Sequence, residues 1–400
     1  MEKTRTRILI LGGGYAGIMS ANRLAGGLGA EAEITLVNSS PRFVERLRLH
    51  EVATRPGSDA ASRHSLAGLL NPRVRTILGT ATRIRADRNV VDVLAPDSVE
   101  TWEEPYDQLI YAVGSGSPIS TVPGSREHAH DTASLDGARA LNAALTSLLP
   151  GSTVVIVGGG ATAIELAAEL ATARPELDLT MVTSTVLAPT LSSGARRYVA
   201  RARAMRTVTV VEGFQVVEVF PGGVVGRDER VVRADCIVWA ASFSVPDLAK
   251  KSDLLVDSGG RLVVGADLRS STHPDISGAG DAAVIAGPDG RAFRMACATA
   301  APQGAHAAAN IIASLRGQAP TPFALSYLIL SLSLGPGDGV IQPTRGDDSP
   351  HRVRLTGWIG AWVNELNTRY AHSILAWERR KAGSYRWAKP LATHRSGASQ

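Results

Sequence analysis

Two short apolar runs that end in glycines are the clearest hydrophobic pattern along the chain. The first is at residues 8–11, and the second lies within 153–160. Uninterrupted apolar runs of this length predict parallel strands that are buried on both faces. Helical segments rich in small residues follow at about 16–25 and from 161 onward. Each pattern therefore predicts a buried strand, a glycine turn and a helix.

The remaining pattern predicts alternating strands and helices, which is typical of an α/β protein. Residues 41–54 mix basic and acidic side chains and end in a helical register, and the proline-containing stretch 115–124 predicts a linker. A polar turn is predicted at 95–104, and residues from 323 onward predict a third, separate region. Other strands are predicted at 33–37, 90–93, 106–115 (ending in a glycine turn), 178–182, 207–211, 215–220 and 236–240, and helices at 134–149, 193–206 and 296–315.

The glycines after the first strand have the G-x-G-x-x-G spacing of a dinucleotide-binding loop. Gly12 permits a tight turn, Gly14 lets the backbone approach a pyrophosphate, and Gly17 lets the helix lie against the strand. The helix that begins near Tyr15 and Ala16 points its amides and the positive end of its dipole at the phosphates. A glycine-rich turn without a ligand is the alternative, but the flanking strand and helix favour a dinucleotide site.

A second loop repeats this pattern and predicts that one chain binds two nucleotides. Gly158 and Gly160 occupy the first two glycine positions, and Ala163 occupies the third, where alanine is allowed. Glu165 stands in the helix that follows. The two loops are too far apart for a short tandem repeat, so the sequence predicts two Rossmann-type units.

Composition is ordinary for a globular protein. The 400 residues suffice for two or three domains, and 44% of them are apolar. Because the net charge of +5 is modest and the basic residues are scattered, nucleic-acid binding is not expected. No run approaches the ~18 apolar residues that span a bilayer, and the glycine motif explains the apolar N-terminus better than a signal peptide does. We therefore expect a cytoplasmic protein.

The two cysteines argue against one kind of redox chemistry. Cys236 and Cys297 form neither a C-x-x-C nor a C-x4-C pair, so a redox dithiol is excluded. They also match neither a metal-binding pattern nor a disulfide framework. Cys236 stands in an apolar strand, where a core thiol is expected.

Four segments in the expected order resemble the FAD-dependent pyridine nucleotide-disulfide oxidoreductase superfamily, in particular its type II NADH dehydrogenase-like branch without a redox dithiol. They are the two glycine motifs, YDQLIYAVGS at 106–115 and SGAGDAA at 277–283. The resemblance implies a glutathione-reductase-like α/β fold with two Rossmann-type domains. It places an FAD domain at 1–120 and 246–320, an inserted NAD(P) domain at 121–245, and a C-terminal α/β region for an interface or the acceptor side at 321–400.

The resemblance also implies how FAD is held. Gly280 and Asp281 are expected at the ribityl or pyrophosphate part of FAD, and the cofactor site includes Ala112 and Gly114. The helix after Arg294 is expected to point its N-terminus at the pyrimidine edge of the flavin, where a positive dipole end stabilises an anionic reduced ring. A glycine-aspartate turn is also a common loop feature, but its place between a strand and a helix favours the cofactor site.

The stretch that ends at residue 54 resembles the family segment that passes the flavin ring. His50 stands where the family usually has a tyrosine or another bulky residue, and a histidine with a pKa of about 6.5 could pass protons. A surface histidine bonded to neighbouring charges is the alternative. Arg48 is a candidate cofactor ligand, or pairs with Glu45 or Glu51 on a solvated face. Asn38 replaces the acidic residue often found at the adenosine ribose, and could still bond a hydroxyl.

The acceptor side matches the family less well. Ala301 takes the position of a polar residue near the family's acceptor channel, which weakens the transfer of a respiratory quinone site. Cys297 lies close to the flavin by the same alignment, and a structural thiol is favoured there. Thr183 and Ser184 stand where an acidic residue would select NADH. The arginines at 196–197 could meet a 2′-phosphate or face solvent, which slightly favours tolerance of NADPH.

An apolar stripe marks the C-terminal part of the chain. Residues 357–380 place Trp, Leu and Tyr side chains at helical spacing, with basic residues beyond them. The stripe predicts a helix that covers the FAD domain or a homodimer partner, and association with a membrane surface is the less favoured alternative. Residues 396–400 are expected to be disordered.

The predicted activity is hydride transfer from NAD(P)H to FAD, followed by electron transfer to a quinone-like or other small-molecule acceptor. The flavin supplies the chemistry, and the protein orients and tunes it. The alternatives are a flavin-dependent monooxygenase or oxidase acting on a small molecule, and a non-catalytic nucleotide-binding redox sensor. The sequence does not choose between quinone and oxygen, because that choice depends on channel shape rather than on a motif.

Overall fold

The computed structural model describes residues 5–116, 122–285 and 293–390, so the linker predicted at 115–124 lies partly, and the disorder predicted at 396–400 wholly, outside the described residues. The helices described are α1 Tyr15–Leu28, α2 Leu49–Thr54, α3 Leu66–Leu69, α4 Ser125–His128, α5 Leu135–Ser147, α6 Ala161–Ala173, α7 Ser193–Arg201, α8 Leu248–Lys251, α9 Cys297–Leu315 and α10 Gly357–Arg380. The strands described are β1 Thr6–Leu11, β2 Ala32–Asn38, β3 Val74–Leu78, β4 Thr80–Arg85, β5 Val90–Leu94, β6 Thr101–Pro105, β7 Gln108–Tyr111, β8 His130–Asp131, β9 Thr153–Val157, β10 Asp178–Thr183, β11 Val208–Glu212, β12 Val216–Phe220, β13 Gly223–Gly226, β14 Val231–Arg233, β15 Cys236–Trp239, β16 Leu262–Val263, β17 Ile276–Gly278, β18 Ala283–Val284, β19 Ile329–Ser333, β20 Gly339–Pro343 and β21 Leu355–Thr356.

The first five-stranded sheet is parallel and has the order β17-β7-β1-β2-β3. The apolar run of β1 is buried at its centre, as the sequence predicts. The last strand to join, β17, comes from a distant part of the chain. Helices α1 and α9 pack so closely that a Cβ at Gly304 would overlap the backbone of Ala16. Two distant chain segments therefore build one domain.

The second five-stranded sheet is also parallel and has the order β11-β10-β9-β15-β8. Its strands all lie between residues 130 and 239, so it is inserted between strands of the first sheet. The two connections run side by side: the amide of Gly116 donates to the carbonyl of Ser244 at 2.7 Å, and the reverse bond is 3.0 Å. We propose that the domain boundaries fall at these connections.

The segment predicted as a polar turn at 95–104 is partly a strand. Residues 101–105 form β6, which pairs antiparallel with β5, and only the residues before it form the turn. The acidic side chains there resemble a turn in sequence, but they lie on an edge strand, where Glu103 pairs with Arg88 at 2.8 Å. The helix predicted at 193–206 also ends early, at Arg201, and a short 3₁₀ turn then buries Met205.

The C-terminal part is not separate from the two parallel sheets. Its small sheet, β19-β20-β21, contacts α6 and α7, while α10 packs on α1 and on this sheet. Glu378 of α10 is fully buried and forms an ion pair of 2.6 Å with Arg23 of α1. Among the described residues, no helix is long and apolar enough to cross a membrane.

The predicted apolar stripe of α10 faces solvent rather than the FAD domain. Trp358 and Trp362 are 72% and 61% exposed, and Leu366, Tyr370 and Trp377 are exposed as well. The residues that bury α10 are a different set, namely Gly360, Thr368, Ala371, Ile374, Leu375 and Glu378. Helical spacing identified the stripe but not the side of the helix that packs.

Candidate functional site

A cavity of about 1210 Å³ lies where the carboxyl ends of both parallel sheets meet the C-terminal region. Ligands of open α/β sheets bind at these strand ends. The volume exceeds the ~300–1,000 Å³ of an ordinary ligand pocket, which suits two dinucleotides. The predicted site residues that line the cavity are Gly14, Tyr15, Ala16, Arg48, His50, Ala112, Gly114, Gly158, Gly160, Glu165, Gly280 and Asp281. Gly12, Gly17, Asn38 and Ala163 lie behind this lining.

The glycines of the first loop divide into two kinds. Gly12 has a φ of 103°, and a Cβ there would strike the carbonyl of Ala112. A Cβ at Gly17 would overlap the carbonyl oxygen of Gly12, so α1 packs directly on the turn. Gly14, at the start of α1, has nothing within 4 Å of the Cβ position and opens into the cavity. The loop therefore fits a pyrophosphate that approaches the Gly14 backbone and the α1 N-terminus.

Asn38 shapes this loop from behind. Its Oδ1 accepts a hydrogen bond of 2.8 Å from the amide of Gly13, and its Nδ2 donates to the carbonyl of Ser40 at 2.8 Å. Both polar groups of the side chain are thus engaged with the backbone, and the residue does not line the cavity. An amide placed at the end of β2 thus reaches the neighbouring turn, and its contact with a ribose hydroxyl stays a prediction.

The second loop has the same construction. Gly158 has a φ of 137°, and its Cβ position lies 2.7 Å from the carbonyl oxygen of Ala240, whereas Gly160 faces open space. Ala163 is fully buried, where its small side chain lets α6 approach β9. The β10 end lines the cavity with Thr183 and two further hydroxyl residues at 184–185. The arginines at 196–197 do not line it, so they give no support to binding a 2′-phosphate.

Asp281 belongs to a network that sequence reasoning missed in part. Its Oδ2 accepts a hydrogen bond of 2.6 Å from the hydroxyl of Ser115. Arg46 donates to the Ser115 carbonyl and hydroxyl at 2.9 and 2.8 Å, and lies 3.8 Å from Asp281. Behind Asp281, the amide of Gly280 donates to the buried side chain of Gln303 at 2.8 Å. Ser115 ends the motif at 106–115, but nothing in the sequence links it to Arg46 or Asp281, because these partners are distant in sequence.

Arg48 pairs with acids instead of pointing freely into the cavity. It lies 3.6 Å from Glu45, 2.7 Å from Glu51 and 3.0 Å from Glu365 of α10. Arg48 therefore pairs with both Glu45 and Glu51, the acidic partners that the sequence suggests as an alternative to a cofactor contact. The face is not solvated, however, since the Arg48 side chain is only 17% exposed. Arg48 positions α10 against the segment before α2.

His50 and Glu165 both line the cavity and interact electrostatically. His50 lies in α2, which packs on α6, and both residues line the cavity. The Oε1 of Glu165 accepts a hydrogen bond of 3.0 Å from the amide of Ser333, so its carboxyl is tied to β19 and not to the glycine loop. Burial raises the pKa of Glu165, and the nearby His50 opposes this shift. The pair combines an imidazole with a carboxyl that retains its proton more readily than usual.

The N-terminus of α9 also borders the cavity. Cys297, Ala298 and Ala300 line it, whereas Ala301, expected at the acceptor side, is buried away from it. Ala301 follows Ala300 by one residue, which turns its side chain by about 100° around the helix axis. Burial raises the pKa of Cys297 to about 11 and that of Cys236 to about 12, so both thiols stay protonated near neutral pH.

Two parallel sheets whose open glycine loops face one cavity define a class of protein, the two-dinucleotide oxidoreductases. The chain belongs to the pyridine nucleotide-disulphide oxidoreductase family, whose model matches residues 6–310. The predicted superfamily, the α/β fold, the oxidoreductase class and the use of FAD with a nicotinamide nucleotide are thereby confirmed.

Known proteins resemble the chain over most of its length. An NADH dehydrogenase-like protein of Mycobacterium tuberculosis is 28% identical over 358 residues, which cover 84% of this chain and 87% of the relative. A type II NADH:quinone oxidoreductase of Staphylococcus haemolyticus is 28% identical over 369 residues, with 85% and 90% covered. The structure of NDH2 from Plasmodium falciparum in complex with NADH matches with a TM-score of 0.79 at 13% identity, covering 94% of this chain and 96% of that chain.

Proposed function

We propose that the chain is an FAD-dependent NADH oxidoreductase that passes electrons to a quinone. The observation that carries this proposal is that Gly14 and Gly160 open into the same cavity, so two dinucleotides can lie with their reactive rings together. The relatives named above include an NADH:quinone oxidoreductase. Bound FAD supplies hydride acceptance from the nicotinamide and electron transfer to the acceptor.

The chain's own residues bind and orient the two nucleotides. The Gly14 backbone and the N-terminus of α1 would hold the FAD pyrophosphate, and Gly160 with the N-terminus of α6 would hold that of NADH. The Asp281 carboxylate, which Ser115 and Arg46 hold, would bind the ribityl region of FAD. The N-terminus of α9 would stabilise negative charge on the reduced flavin through its dipole.

His50 and Glu165 supply protons on the acceptor side. Reduction of a quinone by two electrons consumes two protons, and a hydride brings in at most one of them. Glu165 holds its proton more firmly than an ordinary glutamate because it is buried. His50 faces it from α2 and passes the proton toward the acceptor, as a general acid does.

NADH is the preferred donor in this proposal. The end of β10 presents threonine and serine hydroxyls to the cavity, and these can hydrogen-bond a ribose. The four arginines among the lining residues have acidic or backbone partners elsewhere: Arg46 with Asp281, Arg48 with Glu51, Arg55 with Glu169 and Arg294 with Asp348. A 2′-phosphate would therefore lack a free cation at β10.

We further propose that α10 contacts a lipid surface. One side of this helix lines the cavity through Ala361, Asn364 and Thr368, while Trp358 and Trp362 face solvent. Tryptophans suit the interface between headgroups and acyl chains, and a lipid-borne quinone could enter beside them. Flotation with anionic liposomes should carry the wild type, and Trp358→Ser with Trp362→Ser should reduce it. A dimer that dissociates in this double variant, with no flotation of the wild type, would assign the stripe to a homodimer instead.

An anaerobic half-reaction experiment tests the activity. We expect NADH to bleach the flavin absorbance much faster than NADPH does, and a short-chain quinone to restore it faster than air. Rapid reoxidation by air with little response to quinone would instead favour the oxidase or monooxygenase. Slow reduction with a lasting charge-transfer band would favour a nucleotide sensor.

A further inference from the structure

Three metal-ligating side chains meet outside the cavity, where α10 crosses loops of the FAD domain. Glu45 lies before α2, His64 lies before α3, and His372 lies in α10. One ligand atom from each, a carboxylate oxygen and two ring nitrogens, lie within 4.8 Å of one another. The two imidazoles stack with centroids 3.8 Å apart and planes 26° apart. None of the three lines the large cavity, so the cluster is distinct from the nucleotide site.

The backbone holds the two loops of the cluster in place. The amide of Phe43 donates to the carbonyl of His64 at 3.0 Å, and an isolated antiparallel bridge joins Arg42 to Ser65. The Phe43 ring also packs near His372, with centroids 6.4 Å apart. The three ligands are therefore carried by segments that are already fastened to one another.

One buried polar atom of the cluster lacks a hydrogen-bond partner among the described residues. The Nδ1 of His372 is buried and has no hydrogen-bond partner among the described residues. Glu45 is 5% exposed, and its carboxylate forms an ion pair of 3.6 Å with Arg48. Buried polar atoms are nearly always hydrogen-bonded or bound to an ion, so this pattern calls for a ligand.

We propose that Glu45, His64 and His372 bind a divalent transition metal ion of the zinc type. Two imidazole nitrogens and one carboxylate oxygen are ordinary zinc donors, and a water molecule completes four-coordination. Magnesium and calcium prefer oxygen ligands throughout, so they fit this set poorly. Tetrahedral ligands at zinc distances lie about 3.4 Å apart, so the side chains must close by up to ~1.4 Å from the 4.8 Å limit. The two imidazoles must also turn out of their stack, because each nitrogen binds a metal in the plane of its ring.

The proposed metal site is structural rather than catalytic. His372 is carried by α10, and the other two ligands are carried by the FAD domain, so a bound ion joins the two. One carboxylate oxygen of Glu45 stays paired with Arg48, and the charge of Arg48 is also balanced by Glu51 and Glu365. The second carboxylate oxygen is the one available to the metal.

Metal content of the tag-free holoprotein tests this site. After incubation with zinc chloride and gel filtration, we expect one zinc per chain by mass spectrometry, and no retained magnesium in a parallel sample. His64→Phe and His372→Phe keep a stacking ring but remove a ligand, and each should weaken zinc binding more than ~100-fold, beyond the loss seen for outer-shell partners. His351→Phe, at an exposed histidine, should retain zinc like the wild type.

Thermal unfolding gives a second measurement of the same site. Zinc should raise the unfolding temperature of the wild type and of His351→Phe, and leave both cluster variants unchanged. Flavin content and circular dichroism show whether each variant is folded, and His64→Gln, in a half-exposed loop, replaces any variant that is not. The site is refuted if the wild type retains only traces of zinc. It is equally refuted if the folded cluster variants retain as much zinc as the wild type.

Discussion

At the scale of single residues, the two glycine loops show that one residue type performs opposite tasks. Gly12 and Gly17 are required because backbone lies where a Cβ would be, so a side chain there would disrupt the fold itself. Gly14 is required for the opposite reason: its Cβ position is open space, and a side chain there would occupy the space of the ligand. Substitutions at these positions should therefore fail in different ways.

Gly14→Val should yield a folded protein without FAD. The valine side chain would project into the open space that we assign to the pyrophosphate, while the strand and helix behind it remain packed. The ratio of flavin absorbance to protein absorbance after purification measures the loss, and circular dichroism reports the fold. Normal flavin content in this variant would mean that the loop serves another ligand.

His50→Phe should separate the two halves of the catalytic cycle. The phenyl ring keeps the bulk but removes both nitrogens, so reduction by NADH should proceed while reoxidation by quinone slows. General acid catalysis contributes about 10²- to 10⁴-fold, which sets the expected size of the effect. Stopped-flow traces of both half-reactions measure it. Wild-type rates with an unchanged pH profile in both half-reactions would identify His50 as a packing residue.

Cys297 should be unreactive near neutral pH although it borders the cavity. Burial raises its pKa to about 11, so only about one thiol in a thousand is ionised at pH 8. The alkylation rate should therefore rise about tenfold per pH unit from pH 7 to 9, because the thiolate is the reactive form. Peptide mass spectrometry after iodoacetamide treatment measures it. A rate that levels off near pH 8.5 would contradict the assigned environment.

At the scale of elements, the sequence predicted what local rules determine. The strand, turn and helix at each glycine motif depend on contiguous residues, and all of them are found. The pattern predicts a turn where the edge strand β6 lies, because the acidic residues of this strand carry no apolar alternation. The network of Arg46, Ser115 and Asp281 was missed because its members are 69 and 166 residues apart and meet only in the folded chain.

The ion pair that joins α1 to α10 should be among the costly contacts to break. Glu378 is fully buried and accepts bonds from Arg23 at 2.6 Å and from the amides of Gly383 and Tyr385 at 2.7 and 2.9 Å. Because Glu378→Ala leaves Arg23 charged and unpaired, it should destabilise the protein by about 3–5 kcal/mol. Denaturant unfolding measures this.

An exposed ion pair provides the matched comparison. Lys251 pairs with Asp247 at 3.0 Å, and both side chains are 64% exposed. Because solvent screens such a pair, Lys251→Ala should cost less than about 1 kcal/mol. Equal losses in the two variants would contradict the role assigned to the buried pair.

At the scale of the whole molecule, the two parallel sheets share one cavity, in which we propose that each binds its own nucleotide. Gly160→Val should therefore leave FAD bound and block reduction of the flavin by NADH, since the side chain would occupy the second open cradle. Flavin content and stopped-flow reduction are the two measurements. The Gly14→Val variant is the reciprocal control. Unchanged flavin reduction in Gly160→Val would mean that the inserted domain does not hold the hydride donor.

Two paired connections, at Gly116 and Ser244, join the inserted domain to the FAD domain and make it a modular unit. The chain leaves the first sheet and returns to it at neighbouring points joined by two backbone hydrogen bonds. An insertion at such a point requires only that the two ends of the inserted domain lie close together, as the ends of most domains do. The inserted domain could therefore be exchanged for a homologous unit, changing the electron donor while leaving the flavin and its acceptor in place.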